Sequence, residues 1–242
     1  MMANNMRKMT KKNRIMNKPF AAITVCLAMA AMTMQAQTPQ EWRDSLVTQN
    51  RLIDRQPRSI DLRLKKAAVN IELNQWEYAA EEYGNVLRLE PENLTALYFR
   101  AYANTHLRQY ALAKSDYEAV LRIVPMNMEA RLGLARVKEL MGRKTDARDE
   151  YNQLVEMFPD SAVCYASRAA FETTQAQYEI ALYDWTEAIK RQPRNADYVA
   201  TKVELLLKLE RREEAQKELK EALQRGIPRG VLREWIGKCR KQ

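Results

Sequence analysis

The chain has 242 residues, with only 6 glycines and a formal net charge of +9. Scarce glycine with frequent alanine and leucine suits an all-helical chain. The charge is uneven: residues 1–36 hold six bases and no acid, leaving about +3 for the remainder, so the basic balance is no argument for a nucleic-acid partner.

The first 36 residues read as a secretory signal peptide. Arg7, Lys8, Lys11, Lys12, Arg14 and Lys18 precede the run Phe20 to Met34, which is followed by Gln35, Ala36 and Gln37. The run is short for a membrane span of about 20 residues and long for a signal core. Cleavage is expected after Ala36, and an uncleaved amino-terminal anchor is the alternative. Both send the rest of the chain out of the cytoplasm, to the periplasm or cell envelope, because the basic flank stays inside. Cys26 follows Thr24 and Val25, not the small pair of a lipoprotein signal. Met6, Met9 and Met16 are further candidate starts.

Between Gln40 and Arg55, residues Trp42, Leu46, Leu52 and Ile53 share one helical face. The reading is a capping helix over 40–56, a lone second helix ahead of Pro57. A fixed period then takes over. Alanine recurs at 79, 113, 147, 181 and 215, and proline at 57, 91, 125, 159 and 193, in steps of 34. Such a period marks a stacked-repeat architecture. Within one unit Leu94, Leu97, Tyr98, Ala101 and Tyr102 form one amphipathic stripe, and Ala113, Tyr117, Val120 and Leu121 a second. Proline closes the second helix because it lacks an N–H and moves its predecessor out of the α region. The expected units are 60–93, 94–127, 128–161, 162–195 and 196–229, five helix pairs covering 60–228. A capping helix is expected over 229–242, with Val231, Leu232, Trp235, Ile236 and Cys239 on one side and Arg233, Lys238 and Arg240 on the other. Its basic side is read as solvated.

These residues resemble the tetratricopeptide repeat family. Ala67, Ala101, Ala135, Ala169 and Val203 fill its small position late in helix one. Tyr83, Tyr117, Tyr151, Trp185 and Leu219 follow the helix-two alanine where the family asks for an aromatic. Trp76, Tyr110 and Tyr178 supply the turn aromatic, from which Lys144 and Arg212 depart. The resemblance implies an all-α solenoid of about five helix-turn-helix repeats with a capping helix at each end. It also implies a concave side lined by first helices. Carried across, the partner-binding groove would hold Leu64, Ala68 and Ile71; Tyr98, Tyr102 and Thr105; Leu132, Arg136 and Glu139; Ala166, Ala170 and Thr173; and Ala200, Glu204 and Leu207. In it two tyrosines stack and Arg136 offers one directed charge. The lysine and asparagine clamp of chaperone-binding members is missing at Leu64, Ala68, Tyr98 and Tyr102.

A base precedes the small residue at Lys66, Arg100, Arg168 and Lys202, with Leu134 the exception. An acid precedes the helix-two aromatic at Glu82, Asp116, Glu150, Asp184 and Glu218. Each base is expected to meet the acid of its own repeat, fixing register at little to about 1 kcal/mol. Glu150, lacking its base, should face solvent. The turn inside each pair wants a residue tolerant of positive φ. Asn74 and Gly142 suit it. Arg108, Ala176 and Glu210 would cost about 1–2 kcal/mol each if left-handed. Cys164 and Cys239 lie too far apart in the stack to pair. His106 is the only histidine and is expected to be exposed.

No catalytic triad, metal cluster, phosphate-cradling loop or cofactor motif appears, so no enzyme activity, metal or cofactor is expected. The leading reading is a non-catalytic scaffold of the cell envelope, binding a protein or peptide partner within a possible envelope complex. No nucleic acid is expected, and a membrane only through an uncleaved leader. The alternative is a glycan or peptidoglycan-fragment binder using the groove tyrosines; a third reading is a purely structural role.

Overall fold

A computed structural model describes residues 38–240, so the expected signal peptide and its expected cleavage point lie outside the described residues. Among the described residues there are twelve α-helices and no strand. A leading helix α1 (Pro39–Arg55) precedes five pairs: α2 (Ile60–Glu72) and α3 (Trp76–Leu89); α4 (Leu94–His106) and α5 (Tyr110–Ile123); α6 (Met128–Leu140) and α7 (Lys144–Met157); α8 (Ala162–Thr174) and α9 (Tyr178–Arg191); α10 (Ala196–Lys208) and α11 (Arg212–Gln224). The last helix is α12 (Arg233–Arg240). The fold is an all-α solenoid of tandem helix pairs, with first helices of 13 residues.

The helix starts have a local cause. Thr38 and Glu41 form a reciprocal capping box on α1, with Pro39 in the first turn. Ser59, Asn93, Asn127 and Asn195 accept hydrogen bonds from the first turns of α2, α4, α6 and α10. The turns inside the pairs are left-handed at Asn74, Arg108, Gly142, Ala176 and Glu210. At each, two backbone bonds close a Schellman motif; at Ala176 they run from its own N–H to Thr173 O (3.2 Å) and from Gln177 N–H to Glu172 O (2.9 Å). Those bonds satisfy carbonyls that the helix end would leave open, and so offset the left-handed strain at Arg108, Ala176 and Glu210.

The chain divides into two compact units, residues 1–103 and 104–242. In the first, α2 and α3 pack with Ala67, Ala79, Tyr83 and Val86 buried. Lys66 Nζ donates to Glu82 at 2.8 Å as expected, and Arg63 reaches the other oxygen at 2.8 Å. In the second unit one continuous core runs from Ala135 through Phe171 and Trp185 to Leu232 and Cys239. Arg168 grips Asp184 with both oxygens at 2.7 Å, and Lys202 holds Glu218 at 2.5 Å.

Glu150 corrects the expectation. It does not face solvent: Lys138 donates to it at 2.6 Å and Arg131 stands 3.8 Å away, one turn to either side of Leu134. A base displaced by a turn along the same helix face serves as well as one in register. Cys164 and Cys239 are both free and buried, and His106 is exposed.

A further pattern fixes the turns between pairs. The carbonyl of the closing proline receives an arginine: Arg63 on Pro57, Arg131 on Pro125, Arg191 on Pro159 and Arg225 on Pro193. Where Tyr165 replaces the first-helix arginine, Arg191 comes from the following second helix and lies 4.0 Å over the Tyr165 ring.

The terminal helix also differs from expectation. It begins at Arg233, because turns closed by Val231 N–H to Pro228 O and Arg233 N–H to Gly230 O occupy the preceding residues. Leu232 and Cys239 are buried, but Val231, lying in those turns, is exposed.

Candidate functional site: the exposed face of the first helices

On every first helix the middle position of the groove stripe is open to solvent. In the first unit this position is Ala68 and Tyr102; in the second it is Arg136, Ala170 and Glu204. The three positions beyond it by one turn in the second unit, Glu139, Thr173 and Leu207, are half-buried, and so is Leu132. Ala166 and Ala200 are buried and serve helix packing instead.

In the first unit, Leu64, Ile71 and Tyr98 are half-buried. The Tyr98 ring meets Phe99 edge-on at 5.1 Å. Tyr102 is 36% exposed, and Trp76 meets its ring edge-to-face at 5.8 Å. Trp76 opens α3, and the sequence pattern marks it only as a turn aromatic. This pair forms a small aromatic surface whose faces admit an apolar or planar group.

In the second unit Arg136 is not the lone directed charge expected. Glu139, one turn along, takes it at 2.7 Å and also accepts from the Tyr151 hydroxyl at 3.4 Å. The hydrogen bond to Glu139 raises the Arg136 pKa further above its ordinary value. The guanidinium therefore presents its remaining N–H groups from a locally neutral pair. Thr173, the next such position, spends its hydroxyl proton on Ala169 O, which leaves the oxygen as an acceptor only. Thr105 is half-buried.

The exposed column runs on where the sequence reading stopped. Lys238 of α12 lies 3.4 Å from Glu204, and Trp235 Nε1 donates to the same carboxylate at 3.1 Å. The signal was available: Lys238 stands 34 residues after Glu204. Among the described residues no cluster of His, Cys, Asp and Glu could hold a metal, and no helix is long and apolar enough to cross a membrane.

Comparison with known proteins fits this architecture. A tetratricopeptide repeat protein from Parabacteroides merdae ATCC 43184 superposes with a TM-score of 0.66 at 21% identity, over 84% of this chain and 79% of its own. A thermophilic tetratricopeptide protein of Thermus thermophilus gives 0.59 at 18%, over 69% and 92%. YrrB, described as a tetratricopeptide protein with an unusual peptide-binding site, gives 0.50 at 18%, over 78% and 97%. No protein of curated function matches. The sequence profile of the protein kinase G tetratricopeptide repeat family matches residues 19–219, and the chain belongs to that family.

Proposed function

We propose that the chain is a non-catalytic scaffold of the cell envelope that binds a protein or extended peptide on the exposed faces of its first helices. The observation that carries this is the solvent-open position on each first helix, which includes the Tyr102 ring with Trp76 against it. Tyrosine, tryptophan and arginine are the side chains that most often dominate binding energy at interfaces. The family is one of interaction scaffolds, and YrrB lends a peptide precedent within the fold. Placement in the envelope rests on the leader sequence.

A photo-crosslinking side chain at position 102 of the exported protein tests this. A discrete protein adduct is expected there and not from a control at Tyr78, which is exposed on a second helix. Tyr98→Ala with Tyr102→Ala should abolish capture while leaving helical content intact. Undiminished capture by that folded double variant removes this face from consideration. The Tyr102–Trp76 surface also supports a second reading, a glycan ligand, since aromatic faces stack on sugars. Retention of the pure protein on insoluble cell-wall material, lost with Tyr102→Ala, would favour it.

A further inference from the structure

Helix α12 occupies the place of a first helix for which the described residues supply no second helix. Its register is that of the repeats. Leu232 and Cys239 are buried, as are Ala130 and Val137, their counterparts three repeat lengths earlier in α6. Gln216 of α11 donates to Cys239 O, and Lys238 meets Glu204. The side that faces backwards along the array is therefore packed in the ordinary way.

The side that would face a second helix is open. The small residue there, Ala67, Ala101, Ala135, Ala169 or Val203, is fully buried in every pair. Its counterpart on α12 is Gly237, and a Cβ there would meet nothing within 4 Å. A hollow of about 480 Å³ lies over it, lined by Arg229, Gly230, Arg233, Ile236, Gly237 and Arg240. None of the three arginines has an ion-pair partner among the described residues, whereas Lys238 of the same helix has two.

The pattern of those residues names the occupant. In α6 the order Arg131, Leu134, Lys138 places two bases on either side of an apolar residue, and Glu150 of α7 sits between the bases. In α12, three repeat lengths on, the same positions are Arg233, Ile236 and Arg240. We propose that this face docks an acidic amphipathic helix of a partner protein, which completes the helix pair as α7 completes α6. The docked helix places a small residue over Gly237 and a carboxylate between Arg233 and Arg240, as Ala147 and Glu150 are placed in α7. This chain's own α1 fits poorly, since Ser45 and Thr48 stand where α7 has Ala147 and Glu150. The face is separate from the first-helix column, so either proposal can fail without the other.

The probe is a synthetic peptide of residues 143–158, held helical by a lactam between Asp149 and Gln153→Lys, titrated against the full chain. Saturable binding is expected. It should weaken at least tenfold for a Glu150→Lys peptide, and equally for the wild-type peptide on an Arg233→Glu, Arg240→Glu protein shown to be folded by circular dichroism. The Glu150→Lys peptide should regain affinity for that variant. Absence of binding, or binding indifferent to both charge reversals, overturns the proposal. So does self-association of the chain that the same two substitutions abolish, which would assign the face to a second copy. Adsorption to phosphatidylglycerol vesicles that those substitutions abolish, without peptide binding, would assign it to a lipid surface and overturn the proposal as well.

Discussion

Gly133 lies so close against the ring of Tyr117 that a Cβ there would stand 2.4 Å from Cζ. Tyr117 is buried, so its ring can give way only by moving its packed neighbours. On helix propensity alone, Gly133→Ala should gain about 1 kcal/mol. The contact reverses the sign: a loss of about 1–3 kcal/mol is expected from overpacking. Urea denaturation of the single variant and of a Gly133→Ala, Tyr117→Leu double checks it. The double should recover part of the loss; a single variant as stable as the wild type would show that the ring yields.

Acid should weaken the helix pairs through their carboxylates. Burial alone would raise Glu82, but hydrogen bonds from Lys66, Asn85 and Arg63 hold it below the ordinary range. Burial likewise opposes, and Lys202 and Arg225 outweigh it, at Glu218. A depressed folded pKa contributes stability that is complete above the unfolded value, about 4.3, and is lost as pH falls through the folded one. The urea midpoint should therefore drop between about pH 5 and pH 3. Glu82→Gln with Glu218→Gln should start lower and fall less steeply; an unchanged slope would contradict the assignment.

The left-handed turns offer a gain. Ala176 sits at φ 58°, where an L side chain costs about 1–2 kcal/mol. Glycine would relieve that strain and give back about 0.4–1 kcal/mol through its freer unfolded chain. Ala176→Gly should therefore stabilise by about 0.5–1 kcal/mol, and Gly142→Ala should cost a similar amount. Thermal denaturation of both variants decides it. A fall in midpoint for Ala176→Gly would mean the Schellman bonds already remove the strain.

Arg191 holds a seam between two repeats. It donates to Pro159 O at 2.6 Å and lies over the Tyr165 ring. Arg191→Ala should cost about 1–2 kcal/mol through the lost hydrogen bond and the lost cation–π contact. Lysine lacks the planar fork that serves both partners at once. Arg191→Lys should recover less than half, as read from the urea midpoint.

The period of 34 is written in small and apolar residues, so the helix pairs and their buried alanines were legible in the sequence. The side chains that join them were less so. Glu150 found Lys138 because a helix offers neighbours one turn away as readily as those in register, a choice that residue spacing leaves open. The caps Ser59, Asn93, Asn127 and Asn195 carry the same period but lie outside the apolar stripes that draw attention to it. A prolyl carbonyl that accepts from an arginine is backbone, so no residue type marks it as the acceptor. On the candidate face, exposure at Tyr102 and Arg136 followed from helical geometry. The capture of Arg136 by Glu139 depended on a rotamer choice.

Three kinds of tie hold the second unit together, and they differ in what they allow evolution to do. Arg168 with Asp184 and Lys202 with Glu218 close within a single 34-residue block, so such a block can be copied or deleted with its pair intact. Arginine on a prolyl carbonyl crosses the seam but reads only backbone, and any neighbour ending in proline will serve. Arg148 to Glu172 is different, because Glu172 is buried and its arginine belongs to the preceding block. A tandem duplicate of residues 162–195 would set Leu182 where Arg148 stands and strand a buried carboxylate at the new junction. Removing the partner of such a charge costs about 3–5 kcal/mol. That one contact makes the succession of these two blocks a heritable constraint: the gene can grow elsewhere more cheaply than there.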